Sequence, residues 1–384
     1  MHAVYGANIP RCVGSRARLH KVVERSGTRG DRWQVGRKAT AQDVADLAGV
    51  SRSAVSLVLN GRAKGHVAPH KQQAIIEAAR RLNYTPNAVA LSLRSQRSRT
   101  IGVLTWPGNV GFPGPMLHAT LETATRAGYL LIFMNTANDR DHQDRALATL
   151  HDRQVDALLV IAPDLICYRP VEVMSTIPTI LVNCLDPNAS LTSIVPDEQG
   201  AGSAAARVLI EAGHTHVGVV AGPPGAMQSR LRLAGIEATA AAEHVAVSVQ
   251  AVANRDIGSG FDAARTLLSA PGAPTALIST HERLAVGARL AAADLGLAIP
   301  SALSMISLDD GELLASSLVP PLTTIERPDR AMAEQAVTVT LQRFDEDSEG
   351  QLSQYSFSCG AAIRDSVAHP PRRNRPPCRP ADRR

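Results

Sequence analysis

A small all-α head followed by an α/β body built on parallel sheets is the architecture this sequence predicts. Three observations carry the prediction: helical periodicity at residues 40–84, apolar strand segments alternating with helices at 101–365, and a reversal of charge between the two regions. Strand segments fall at 101–104, 130–134, 157–161, 179–182, 217–221, 276–279 and 305–308. Several are continuous apolar runs, the pattern of strands covered on both faces. Helical segments at 115–127, 200–212 and 284–295 lie between them, and that alternation specifies α/β layering.

The charge reversal is large. Residues 1–99 hold 18 Lys and Arg against 5 Asp and Glu, residues 100–365 hold 16 against 29, and residues 366–384 hold 6 against 1. A basic head on an acidic body confines attraction for phosphate to one end of the chain. The composition, 45% hydrophobic and 20% charged, is that of an ordinary globular protein. No apolar run reaches the roughly 18 residues of a membrane span, and the charged first 36 residues do not read as a secretory signal. The five cysteines, at 12, 167, 184, 359 and 378, lack metal-ligand spacing. No metal or cofactor is expected, and a reducing cytoplasm is the expected setting. Residues 1–37 read as a disordered extension, or as sequence upstream of the true start, and residues 366–384 as a disordered basic tail without heptads.

The strongest local signal runs from Thr40 to Asn60. Thr40 is placed to cap a helix, with Asp43 three residues on as in a capping box. Val44, Ala45, Leu47 and Ala48 form its expected apolar face. Gly49 supplies the positive φ of a tight turn, and Ser51 caps a second helix whose expected buried face is Val55, Val58 and Leu59. Two helices packed across such a turn form a helix-turn-helix. The second exposes Arg52, Ser53 and Ser56 near its N-terminus, the part that meets base edges in this motif. The alternative is a plain helical hairpin, and the basic surroundings argue against it.

Here the chain resembles the lactose/galactose-repressor (LacI/GalR) family. The resemblance rests on Asp43-Val-Ala-x-x-Ala-Gly-Val-Ser51, Val55-Ser-x-Val-Leu-Asn60-Gly61 and Asn83-Tyr84-x-Pro86-Asn87. It continues through Ile101-Gly102-Val103, Gly213-His214, Arg230-Leu-Arg232-Leu-Ala-Gly235, Asp309-Asp310 and Pro320-Pro-Leu-Thr-Thr-Ile325. It implies a dimeric repressor of double-stranded operator DNA, not an enzyme. The expected domains are a head at 38–84, a hinge helix and linker at 85–99, and a two-lobed periplasmic-binding-protein-like domain at 100–365. The implied DNA-contacting set is Thr40, Ser51, Arg52, Ser53, Ser56, Leu57 and Asn60 in the head, with Asn87, Ala90, Leu93 and Arg94 in the hinge. Leu93 is implied as a wedge into the minor groove; the alternative is an ordinary linker residue. Ala54 stands where the family usually has threonine, Ala68 where a serine caps the third helix, and Gln72 where arginine is common.

The resemblance also implies a small-molecule, carbohydrate-like effector between the lobes, near the carboxyl ends of strands. Its implied contacts include Asn183, Arg232 and Asp309; for the last two a structural salt bridge is the alternative. His281-Glu282 replaces a frequent Asn-Asp pair, and Leu308 an aromatic before Asp309. Trp106 and Phe112 have the chemistry to stack on a sugar ring or simply to pack. Two rival readings, a nicotinamide-dependent enzyme and a periplasmic binding protein, have weaker support. Gly258-Ser-Gly260 approximates a dinucleotide fingerprint but follows a polar stretch rather than a clear strand. A periplasmic binding protein would lack the helix-turn-helix.

Overall fold

Caps and breakers cut the first described stretch into three short helices. In the computed structural model, which describes residues 39–85, 97–108, 113–310, 314–345 and 353–371, these are α1 (Ala41–Ala48), α2 (Arg52–Leu59) and α3 (Pro69–Arg81). Thr40 Oγ1 accepts the Asp43 N–H at 3.3 Å, and the Thr40 N–H donates to Asp43 Oδ2 at 2.7 Å. The expected capping box is therefore complete. Gly49 adopts φ 62°, and Ser51 Oγ accepts the Ala54 N–H at 3.2 Å. Val44, Ala45, Val55, Ile75, Ala78 and Ala79 close the core of this unit. Leu47, expected on the apolar face of α1, is instead 51% exposed. At about 100° per residue, Val44, Ala45 and Ala48 span one arc of the helix and Leu47 falls outside its edge. Ala68 is the N-cap of α3 and makes no side-chain cap bond. Gln72 Nε2 instead donates to the Val67 carbonyl at 2.6 Å.

The chain divides between Asn87 and Ala88 into two units. In the second, the elements run β1 (Thr100–Thr105), α4 (Gly114–Arg126), β2 (Leu130–Asn135), α5 (Arg140–Asp152), β3 (Ala157–Cys167), β4 (Thr179–Leu185) and β5 (Thr192–Pro196). Next come α6 (Glu198–Glu211), β6 (His216–Ala221), α7 (Met227–Ala242), β7 (Ala246–Ala251), α8 (Ile257–Ser269), β8 (Ala276–Ser279) and α9 (Glu282–Asp294). The last are β9 (Ser304–Leu308), α10 (Leu314–Ser317), β10 (Thr323–Glu326), α11 (Asp329–Asp345), β11 (Gln354–Phe357) and β12 (Gly360–Ala362).

The strands form two sheets, ordered β11-β5-β4-β3-β1-β2 and β12-β10-β9-β8-β6-β7. All described pairings are parallel except β10 with β12. Each sheet with its helices is one lobe. The chain crosses between them at Pro196–Glu198, at Glu326–Asp329 and at Phe357–Gly360. The first and third crossings are tied by the Asp197 N–H, which donates to the Phe357 carbonyl at 2.8 Å. Strand order reverses between β1 and β3 in one lobe and between β6 and β8 in the other, the points where open α/β sheets bind ligands.

All seven expected strands are present. The strands that sequence reasoning missed, β5, β7, β10, β11 and β12, are short or half-exposed, without long apolar runs. The packed body also extends beyond the boundary expected at residue 365. Ser366 is fully buried, its Oγ donates to the Met305 carbonyl at 2.6 Å, and the Ala368 carbonyl meets His214 Nε2 at 3.0 Å. Its short polar side chain completes backbone bonds along β9 and β10, so composition alone misjudged this stretch. Among the described residues, no helix is long and apolar enough to cross a membrane.

Candidate nucleic-acid interface and interlobe cleft

In the head, Arg52 and Ser53 open α2 on its exposed side, while Val55 one turn later is buried against α1 and α3. Capping by Ser51 is what brings Arg52 to the first turn. Ser51 Oγ also lies 2.9 Å from Ser53 Oγ, which ties the two hydroxyls together. Asn60 Nδ2 donates to Ser56 Oγ at 3.1 Å, so these two side chains serve the end of α2. Leu57 is half-buried, and its carbonyl accepts the Arg62 N–H at 2.8 Å. Arg62, Lys64 and Lys71 are exposed along the loop from α2 and the start of α3. A guanidinium at the start of an exposed helix can donate a bidentate pair to guanine, and exposed cations nearby suit phosphates. Asn87, Ala90, Leu93 and Arg94 lie outside the described residues, as does Phe112.

In the body, a cleft of about 1270 Å³ is lined from both lobes. Pro163 and Asp164 come from β3, Arg255 from the loop after β7, His281 from the end of β8, Asp309 from the end of β9, and Arg327 from the second crossing. Beneath the wall lies a buried charge cluster. Arg232, on α7, is only 2% exposed. Its Nε donates to Glu198 Oε2 at 2.5 Å, and Nη1 donates to the Thr280 carbonyl at 2.6 Å. Nη1 and Nη2 also reach Asp309 Oδ2 and Oδ1 at 2.9 and 2.5 Å. Burial alone would raise the Asp309 pKa, but the Arg232 charge and its hydrogen bonds overcome that and hold it well below the usual carboxylate range. Burial likewise works against the Arg232 cation, and Asp309 and then Glu198 more than offset it.

His281 is kept neutral, its pKa pushed well down first by burial and then by the Arg232 cation. Its Nδ1 lies 3.0 Å from Thr280 Oγ1, which also accepts the Gly222 N–H at 2.8 Å. Arg255 Nη1, 3.1 Å from Nε2, can only donate, so Nε2 is the acceptor and Nδ1 of the neutral ring carries the proton. Asp309 holds φ 81°, and although its carboxylate is paired with Arg232 its side chain remains 29% exposed at the cleft wall.

Of the expected effector contacts, the structure brings His281 and Asp309 to the cleft wall. Arg232 sits behind Asp309, engaged on both edges. Asn183, φ 58°, is wholly buried, with Nδ2 donating to the Ala162 carbonyl at 3.1 Å. Trp106 departs from the effector-contact expectation. Its indole packs into the apolar cluster of Leu147, Leu150, Leu158 and Met174, because it continues β1 on the face that α5 covers. Gly258 and Gly260 lie inside α8, and a Cβ on Gly260 would meet the Leu284 backbone, so that glycine serves α8–α9 packing rather than a phosphate loop. Sequence reasoning missed Asp164, Glu198, Arg255 and Arg327. Asp164 follows a recognised strand and was open to the rule that ligands gather at strand carboxyl ends. Arg255 follows β7, which carried no strand signal.

Comparison with known proteins agrees with this architecture. The profile described as bacterial regulatory proteins, lacI family, matches residues 40–87, and a periplasmic binding protein-like domain matches 206–367. The ribose operon repressor of Escherichia coli is 34% identical over 79% of this chain and 93% of its own length. The HTH-type transcriptional repressor PurR of Haemophilus influenzae is 32% identical over 86% of this chain and 98% of its own. A crystal structure of the lac repressor dimer bound to operator and the anti-inducer ONPF superposes with a TM-score of 0.71 at 25% identity, covering 86% of this chain and all of that one.

Proposed function

Because the chain belongs to the lacI family of bacterial regulatory proteins, we propose that it represses transcription in the cytoplasm as a homodimer on a pseudo-palindromic operator, released or recruited by a small carbohydrate-like effector. As a member of a family of repressors it is a DNA-binding regulator rather than an enzyme. The observation that carries the DNA reading is the capped start of α2, where Ser51 fixes the helix and Arg52 and Ser53 stand exposed over a buried Val55. One such helix reads half a site, which is the physical reason for a dimer. The effector reading is supported by the cleft chemistry. The Asp309 side chain is partly open to the cleft and neutral His281 lies beside it, while Arg232 and Arg255 are each paired with a carboxylate. A carboxylate oxygen that already accepts one hydrogen bond has a second lone pair, and a wall of charge-paired carboxylates suits a ligand rich in hydroxyl donors. Asp309 and His281 are its proposed contacts, and Arg232 positions Asp309 from behind.

The test is a gel-shift titration of the full chain on DNA from upstream of its own gene, with and without a panel of pentoses and hexoses. A sequence-specific complex that one sugar shifts is the expected result. Arg52→Ala should weaken binding by about 1–3 kcal/mol and relax preference at one base pair. Equal binding of the wild type to scrambled DNA would overturn the repressor reading.

A further inference from the structure

Asp164 and Arg255 belong to different lobes and meet across the cleft. Arg255 Nη1 donates to Asp164 Oδ1 at 2.8 Å, and Nη2 donates to Asp164 Oδ2. The pair is a two-pronged fork, which fixes orientation as well as distance. The Arg255 side chain is 9% exposed and that of Asp164 24%, so salt screens the pair little. On its own lobe Arg255 is braced by Gln228 Oε1 at 3.3 Å and His281 Nε2 at 3.1 Å. Gln228 in turn donates to Glu198 Oε1 at 2.8 Å, at the first crossing between lobes. The bond from Arg327 Nη1 to the Pro163 carbonyl, at 3.2 Å, starts from a crossing segment and so moves with the hinge. Asp164–Arg255 is different, because both partners lie away from the crossings and separate when the lobes part.

We propose that the Asp164–Arg255 ion pair is a latch that holds the lobes together across the cleft, and that Asp164 and Arg255 are therefore positioning residues for effector binding. The latch rests on the reading of this cleft as the effector site. Its geometry makes closure a two-state event: the fork is either made or, once the lobes part, left as two separated charges. Through Gln228 and Glu198, breaking it also loosens the bracing of the first crossing. An effector then shifts the lobes by its differential affinity for the latched and unlatched states.

The experiment reads lobe separation directly, with no ligand added. Fluorophores are attached through a non-natural amino acid at exposed Arg169 in one lobe and exposed Arg283 in the other, and single-molecule energy transfer is recorded on the full chain. Asp164→Asn and Arg255→Gln should each move the closed-to-open ratio toward open by roughly tenfold or more. Arg255→Lys, which keeps the charge and loses the fork, should fall between them and the wild type. The reversed pair, Asp164→Arg with Arg255→Asp, should recover most of the closed population. If a single variant fails to fold, as judged by circular dichroism, Asp164→Ser and Arg255→Lys carry the comparison. Distance distributions identical to wild type in the folded variants would overturn the latch. Lobes that open in the variants of a protein binding none of the sugars would leave the latch standing and remove the carbohydrate reading instead.

Discussion

Arg232 is a cation the fold cannot release. Its guanidinium faces Glu198 on one edge and Asp309 on the other, with about 2% of its surface open to solvent. Removing one partner from such a buried group leaves uncompensated charge, which costs about 3–5 kcal/mol. Arg232→Met, of similar volume, should therefore lower the unfolding free energy at neutral pH by about that amount. Adding Glu198→Gln and Asp309→Asn should recover much of the loss, since a wholly uncharged cluster carries no orphan. The pH dependence has a definite sign. The folded Asp309 pKa lies below its unfolded value, so its share of stability is present above about pH 4 and lost as pH falls through the depressed folded value. Urea denaturation should thus show the gap between wild type and Arg232→Met widest at neutral pH and narrowing in acid. A gap that does not vary with pH would assign the loss to packing rather than to charge.

At the scale of elements, the head is built from signals that act within one turn of chain, and those were readable in advance. Thr40 with Asp43, Gly49 and Ser51 each act over at most three residues, and the structure places each in its expected role. The cleft is different in kind. Arg232 and Asp309 lie 77 residues apart in sequence, and Asp164 and Arg255 lie 91 apart. No periodicity records such pairings; only the doubly wound topology brings them together. The same limit explains the missed strands, since β7 is an edge strand half-exposed on its outer face and never needed a continuous apolar run. Where a local signal is absent, a defect is predicted. Ala68 leaves the first N–H groups of α3 without a side-chain acceptor, and its φ −61° and ψ 144° already suit a capping residue. Ala68→Ser should stabilise the head by about 0.5–2 kcal/mol. Slower amide exchange along α3, with no change in the body, is the expected readout; unchanged protection would mean that Gln72 and its bond to Val67 already fix the start of the helix.

Over the whole molecule, charge separates what the fold also separates. The 18 cations among residues 1–99 face 5 anions, whereas the described body is acidic. An acidic body repels DNA, so nonspecific attraction falls to the basic stretches at the two ends of the chain, above all residues 1–99, and binding should weaken steeply with salt as phosphate counterions are released. The slope of log affinity against log salt counts the phosphates neutralised, at about 0.9 per contact on duplex DNA. Arg62 and Lys64 are exposed between α2 and α3, outside the first turn of α2 proposed to read bases, and their charge suits them to phosphate contacts. Neutralising either to Gln should weaken the complex evenly on specific and scrambled sequences and flatten the slope by about one unit per half-site. Arg52→Ala should do the opposite, losing discrimination at one base pair with little change of slope. Filter-binding titrations of the three variants between about 50 and 200 mM salt separate the two behaviours. If Lys64→Gln changed sequence preference instead, the α2–α3 loop would be reading bases, and the division of labour between a specifying helix and a positioning loop would have to be redrawn.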